Sequence, residues 1–123
     1  MSRPYKYLSI ERVNDIFIVR MQRSHGEDQD MEGLGAEFGR LIDEDNCRKL
    51  VLNLGPEDPE CLISIFLAKL VNLQRRLEKY GGRLALAHLS ENTQTVFHAA
   101  GIERFFHFYP DQDTAVNSLR LPA

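Results

Sequence analysis

The sequence predicts an α/β fold with a mixed, mostly parallel β-sheet, a hairpin strand at its edge and helices packed against it. Three observations predict this. Short runs of β-branched and aromatic residues alternate with segments of helical apolar spacing along the chain. The run Lys49-Leu50-Val51-Leu52-Asn53-Leu54 is almost continuously apolar, the pattern of a strand buried on both faces. Later strands are separated by single helical segments, which calls for right-handed crossovers between parallel neighbours.

The elements follow in order. Tyr7 to Arg12 alternates, with Leu8 and Ile10 on one face; Asn14-Asp15 supplies the turn, and Ile16 to Val19 returns as the second strand. Gln22 to Asp30 is polar and acidic and reads as a loop. Met31, Leu34, Phe38, Leu41 and Ile42 then keep helical spacing, predicting a helix from Met31 to Glu44. Gly33, Gly35 and Gly39 lie inside it at about 1 kcal/mol each in helix propensity. Either this helix is weak, or its Gly35/Gly39 face packs close to another backbone.

After the strand from Lys49 to Leu54, Gly55-Pro56-Glu57-Asp58-Pro59-Glu60 interrupts regular pairing. A long helix is predicted from about Ile63 to Tyr80. Ile63, Phe66, Leu67, Leu70, Leu73 and Leu77 form its apolar stripe, Gln74, Arg75, Glu78 and Lys79 face water, and Gly81-Gly82 ends it. Arg83 to His88 is the next strand, and Ser90 caps a helix closed by Gly101. Phe105 to Tyr109 is a short aromatic strand, and Pro110-Asp111 opens a last helix carrying Ala115, Val116 and Leu119.

The chain of 123 residues has room for a single domain over 1–123. Its formal charge of −3 offers no footprint for nucleic acid or anionic lipid. The start, Met1-Ser2-Arg3-Pro4, lacks the apolar core of a secretory leader, and no stretch reaches the length of a membrane span. Two cysteines, Cys47 and Cys61, are too few for a disulfide framework, so a cytoplasmic protein with reduced thiols is expected.

Catalytic chemistry finds little support. His25, His88, His98 and His107 make no metal-binding pair, and His25 with its acidic neighbours reads as a solvated loop. His88, at a strand end, reads as a hydrogen-bonded structural histidine. The glycines around Gly35 follow an acidic loop rather than a strand, so they are no dinucleotide fingerprint, and Cys61 follows Glu57, Asp58 and Glu60, which hold its thiol protonated. No cofactor or metal is expected. The informative position is Ser64, whose hydroxyl falls in or near the first turn of the long helix, where unpaired N–H groups and the dipole favour a negative charge. A plain cap or first-turn serine is the alternative reading. Ile63, Ile65 and Phe66 cannot share one helix face, which leaves Ile65 off the core stripe as part of a contact surface.

The strand Leu50-Val51-Leu52-Asn53-Leu54, a loop, a serine opening a long helix and its Gly81-Gly82 close resemble the STAS domain family of sulphate transporters and anti-sigma factor antagonists. The downstream run from Gly82 to Ser90, then Val96-Phe97 and Ala100-Gly101-Ile102, carries the same resemblance. In the antagonists an Asp-Ser-Ser-Gly-Leu motif opens this helix and its first serine is phosphorylated by a partner kinase. Counted back from Gly81-Gly82, that motif falls on Ile63-Ser64-Ile65-Phe66-Leu67, which makes Ser64 the phosphoacceptor position while Ile63, Ile65 and Phe66 depart from the pattern. The resemblance implies a STAS-like, non-catalytic regulatory module. It would bind an anti-sigma factor, a serine kinase-like protein or another signalling protein through Glu60, Cys61, Leu62, Ile63, Ile65, Phe66 and Lys69, switched by phosphate on Ser64. Two alternatives stay open: a self-assembling homo-oligomeric subunit of a signalling complex without a phospho-switch, and a domain binding a nucleotide or lipid.

Overall fold

The computed structural model describes residues 5–21, 28–55 and 64–120. Two strands, β1 (Leu8–Val13) and β2 (Ile16–Met21), are followed by α1 (Asp28–Asp43), β3 (Lys49–Asn53), α2 (Ser64–Lys79) and β4 (Arg83–Ala87). Next come α3 (Glu91–Ala99), a 3-10 turn at Glu103–Phe105, β5 (His107–Tyr109) and α4 (Gln112–Arg120). The five strands lie in the order β1-β2-β3-β4-β5; β1 pairs antiparallel with β2 and every other pair is parallel. The predicted fold class and its edge hairpin are therefore present. Asn14, at φ 57°, supplies the left-handed residue of the hairpin turn, a conformation asparagine tolerates better than most side chains.

Strand alternation divides the sheet between two cores. Phe17, Val19, Leu50, Leu52, Leu84 and Leu86 face the apolar stripes of α1 and α2, where Phe97 of α3 joins them. Ile16, Ile18, Val51, Ala85 and Ala87 face α4 through Ala115, Val116 and Leu119. The alanines of β4 let this short helix sit close to the sheet.

Both central helices end on glycine. Gly81 has φ 76°, its N–H donates to the Glu78 carbonyl at 3.0 Å, and that of Gly82 to Leu77 at 2.7 Å; this double closure satisfies the last carbonyls of α2. Gly101, at φ 72°, closes α3 the same way through Gly101 to His98 and Ile102 to Phe97. At the other end of α3 the Ser90 hydroxyl accepts the Thr93 N–H at 3.1 Å, as expected of its cap.

Four expectations need correction. α1 begins at Asp28, three residues before the predicted Met31, so Asp28 to Asp30 belong to the helix and not to the acidic loop. The glycines of α1 meet side chains rather than a backbone. The Tyr7 ring occupies the space beside Gly33, Lys69 Nζ would lie 2.9 Å from a Cβ on Gly35, and Arg76 would lie 3.0 Å from one on Gly39. Gln74 is buried on the core side of α2, where its amide N–H donates to Glu78 Oε1 at 2.7 Å. Phe105 belongs to the 3-10 turn, leaving a strand of three residues.

The segment before β1 is tied across α1. The Glu37 carboxylate, itself buried, accepts the backbone N–H groups of Lys6 at 2.7 Å and Tyr7 at 2.8 Å. The Tyr5 hydroxyl donates to Asp45 while the Arg40 guanidinium stacks on its ring at 4.2 Å. Burial, then the bond to Asp45, push that hydroxyl's pKa above the usual tyrosine range.

Candidate functional site

The site is built on the first turns of α2. Ser64 is the first described residue of the helix and is exposed to solvent. No acidic side chain lies in the first described turn to offset the positive dipole end of the helix. α3 and α4 differ, with Glu91 and Asp113 in their first turns.

Helical spacing sorts the neighbours of Ser64 into two faces. Ile65 is 47% exposed, and the stripe Ile65, Ala68, Lys69, Asn72 and Arg76 lines a groove of about 520 Å³ against α1. Phe66 lies on the opposite stripe and is fully buried with Leu70 and Leu77. The expectation that Phe66 belongs to the core is met. Its proposed place in a docking patch is not, because a side chain sealed under the helix presents nothing to a partner. Glu60, Cys61, Leu62 and Ile63 lie outside the described residues. The patch that the structure describes is therefore Ser64, Ile65 and Lys69.

The sequence offers close packing for the Gly35/Gly39 face of α1, but its place as the wall of a groove beside Ile65 is not legible there. Gly35 and Gly39, one helical turn apart, keep that wall low enough for Lys69 and Arg76 to lie across it, and Arg76 is held by a two-oxygen contact with Asp43 at 2.8 Å. The glycine spacing was the available signal, since paired small residues on one helix face mark a close approach.

The chain leaves β3 toward α2 through a buried polar anchor. Asn53, 4% exposed, accepts the Gly55 N–H on Oδ1 at 3.0 Å and donates from Nδ2 to Gln112 at 3.0 Å. Gly55 passes against the backbone of His88, whose φ of 63° is held by its N–H bond to the Tyr109 carbonyl at 3.1 Å. The His88 side chain is exposed, with no ring hydrogen bond among the described residues, so the expected structural bond through the imidazole is not present there. Nearby, the Thr114 N–H donates to Asp111 Oδ1 at 2.7 Å. That bond first, and the neighbouring His88 more weakly, hold the Asp111 carboxyl below its ordinary range.

Cys47 is buried and free, and burial pushes its thiol up to about 12. Because the folded thiol holds its proton more tightly than the unfolded one, this contribution to stability is complete below about pH 9 and is lost as pH rises toward 12. Among the described residues no group of three or more histidines, cysteines or carboxylates is placed to hold a metal ion. No described helix is long and apolar enough to cross a membrane.

Comparison with known proteins is decided by shape. No family model and no curated protein sequence matches the chain. An anti-sigma-factor antagonist (STAS) domain protein from Planctomyces limnophilus superimposes with a TM-score of 0.77 over 93% of this chain and 98% of its own, at 16% identity. The chain has the STAS fold. The Bacillus cell fate determinant SpoIIAA, solved in its phosphorylated form, matches this STAS fold with a TM-score of 0.67 at 18% identity, covering 92% of this chain and 99% of its own. A chain from the molecular architecture of the stressosome, a signal integration and transduction hub, matches with a TM-score of 0.72 at 18% identity, covering 91% and 96%. At these identities the likeness is one of fold.

Proposed function

We propose that this chain is a non-catalytic regulatory module that docks a signalling protein through the amino end of α2 and is released by phosphorylation of Ser64. The observation that carries the reading is an exposed serine at the start of a sheet-packed helix whose first turn holds no acid, beside an exposed Ile65 that opens onto a groove. A phosphate dianion there gains roughly 0.3–1 kcal/mol from the helix end, so the folded domain tolerates the modification. The same charge next to an apolar contact through Ile65 opposes docking. Likeness to the antagonist structures supports an anti-sigma factor or a related serine kinase as the partner, acting in the cytoplasm.

Ser64→Glu is expected to weaken binding to such a kinase from the same genome by roughly tenfold or more, with a melting temperature within ~2 °C of the wild type. Calorimetric titration of both proteins with the partner provides the comparison. Equal affinity would remove the switch and leave constitutive docking.

The exposure of Ile65 favours one second reading, in which the same face joins copies of this chain into a signalling assembly. Sedimentation velocity at micromolar concentration separates the two, since only assembly yields a stable oligomer that Ile65→Asp dissolves.

A further inference from the structure

At the end of the sheet away from Ser64, a second pocket gathers positive charge in a chain whose formal charge is −3. It has a volume of about 480 Å³, and its walls carry Arg12, Arg48, Lys49 and Arg83 against only Asp15 and Asp45. Topology creates the cluster. Lys49 and Arg83 are the first residues of β3 and β4 and stand opposite each other in the parallel register. Arg12 comes from the end of β1, and Arg48 precedes β3.

Arg12 and Arg48 are aimed without being neutralised, whereas Arg83 donates to the α4 carbonyls of Ser118 at 3.5 Å and Leu119 at 3.1 Å. Arg48 Nη1 donates to the carbonyls of Ile42 at 3.1 Å and Cys47 at 2.9 Å, and its guanidinium stacks on Tyr80 at 4.6 Å. Arg12 lies over the Phe17 ring at 4.4 Å. Carbonyls and rings orient a cation but leave its charge in place. Among the described residues neither Arg12 nor Arg48 makes an ion pair, whereas Lys49 reaches Asp15 at 3.3 Å, a carboxylate that is mostly exposed. Nor does the carboxyl end of α2 present open carbonyls from Leu77 and Glu78, because Gly82 and Gly81 already donate to them.

We propose that this pocket binds a small multivalent phosphoanion, the class represented by pyrophosphate. Its oxygens would take the forked donors of Arg12 and Arg48 and the ammonium of Lys49. A compact dianion or trianion suits the charge of these walls.

Inorganic pyrophosphate titrated at low salt, followed by calorimetry and by backbone amide shifts, tests the assignment. Saturable one-to-one binding is expected, with shifts concentrated at Lys49, Gly81, Gly82 and Arg83. Lys49→Gln and Arg12→Gln should each lose roughly tenfold in affinity, while Arg75→Gln on exposed α2 should lose little. Arg48→Gln is a poorer probe, since it also releases two carbonyls. No saturable binding, equal loss in Arg75→Gln, or unchanged affinity in both pocket variants would overturn the proposal. So would binding of a poly-glutamate peptide without binding of pyrophosphate, which would make the pocket a protein contact. Ser64 takes no part in the pocket, so these outcomes are independent of the docking reading.

Discussion

Phe66→Ala is expected to cost about 3–5 kcal/mol, enough to lower the melting temperature by more than ~10 °C. Phe66 is among the largest fully buried side chains and belongs to the cluster shared by α1, α2 and the sheet. Truncation leaves a void that neighbouring side chains fill only in part, which adds a cavity term to the lost transfer energy. Ile65→Ala, one residue earlier on the exposed stripe, should change stability by no more than ~0.5 kcal/mol. Thermal denaturation of the pair therefore separates the core side of the α2 start from its surface side. Equal, small losses in both would contradict the buried position of Phe66.

Gly55→Ala should have the second-largest effect, about 2–3 kcal/mol, measured by urea unfolding. A Cβ at this position would overlap the His88 carbonyl oxygen and come within 2.9 Å of the imidazole Cγ. The carbonyl cannot retreat cheaply. His88 is pinned in a left-handed conformation by its N–H bond to Tyr109, and Leu54 donates to Ala87 at 3.0 Å immediately before Gly55. Relief must come from the Gly55 side, at the cost of its bond to Asn53. Because Gly55 leads toward Ser64 along the chain, the variant should also weaken the docking proposed for that helix start. Asn53→Ala, which removes both the acceptor for the Gly55 N–H and the donor to Gln112, should also lower stability, by about 1–3 kcal/mol in the same measurement.

The element order was legible because each segment carries its period openly. The apolar run of β3, the alternation of β1 and the stripe of α2 are local signals, and so is the pair of glycines that ends α2. For the same reason Ser64 could be placed at a helix start from its distance to Gly81-Gly82. Properties set by distant neighbours were not legible. Gln74 reads as a surface residue, yet it lies between buried Leu73 and Leu77 with Glu78 as partner for its amide N–H, a role that depends on how wide a face α2 buries. Phe105 looks like the start of an aromatic strand, but its N–H bonds the Ile102 carbonyl at 3.0 Å and turns the chain before β5. Phe66 carried two sequence roles that only the helix rotation could separate. The basic pocket draws its cations from residues 12, 48, 49 and 83, which no local pattern connects.

Hydrogen–deuterium exchange of the full chain, alone and mixed with the proposed serine kinase-like partner, tests the proposed docking surface directly. New protection is expected at the amides from Ser64 to Lys69, extending to the Gly35–Gly39 face of α1 and vanishing with Ser64→Glu. Protection confined to α4 or to the β1 edge, with the amides of Ser64 to Lys69 exchanging as in the free chain, would contradict it.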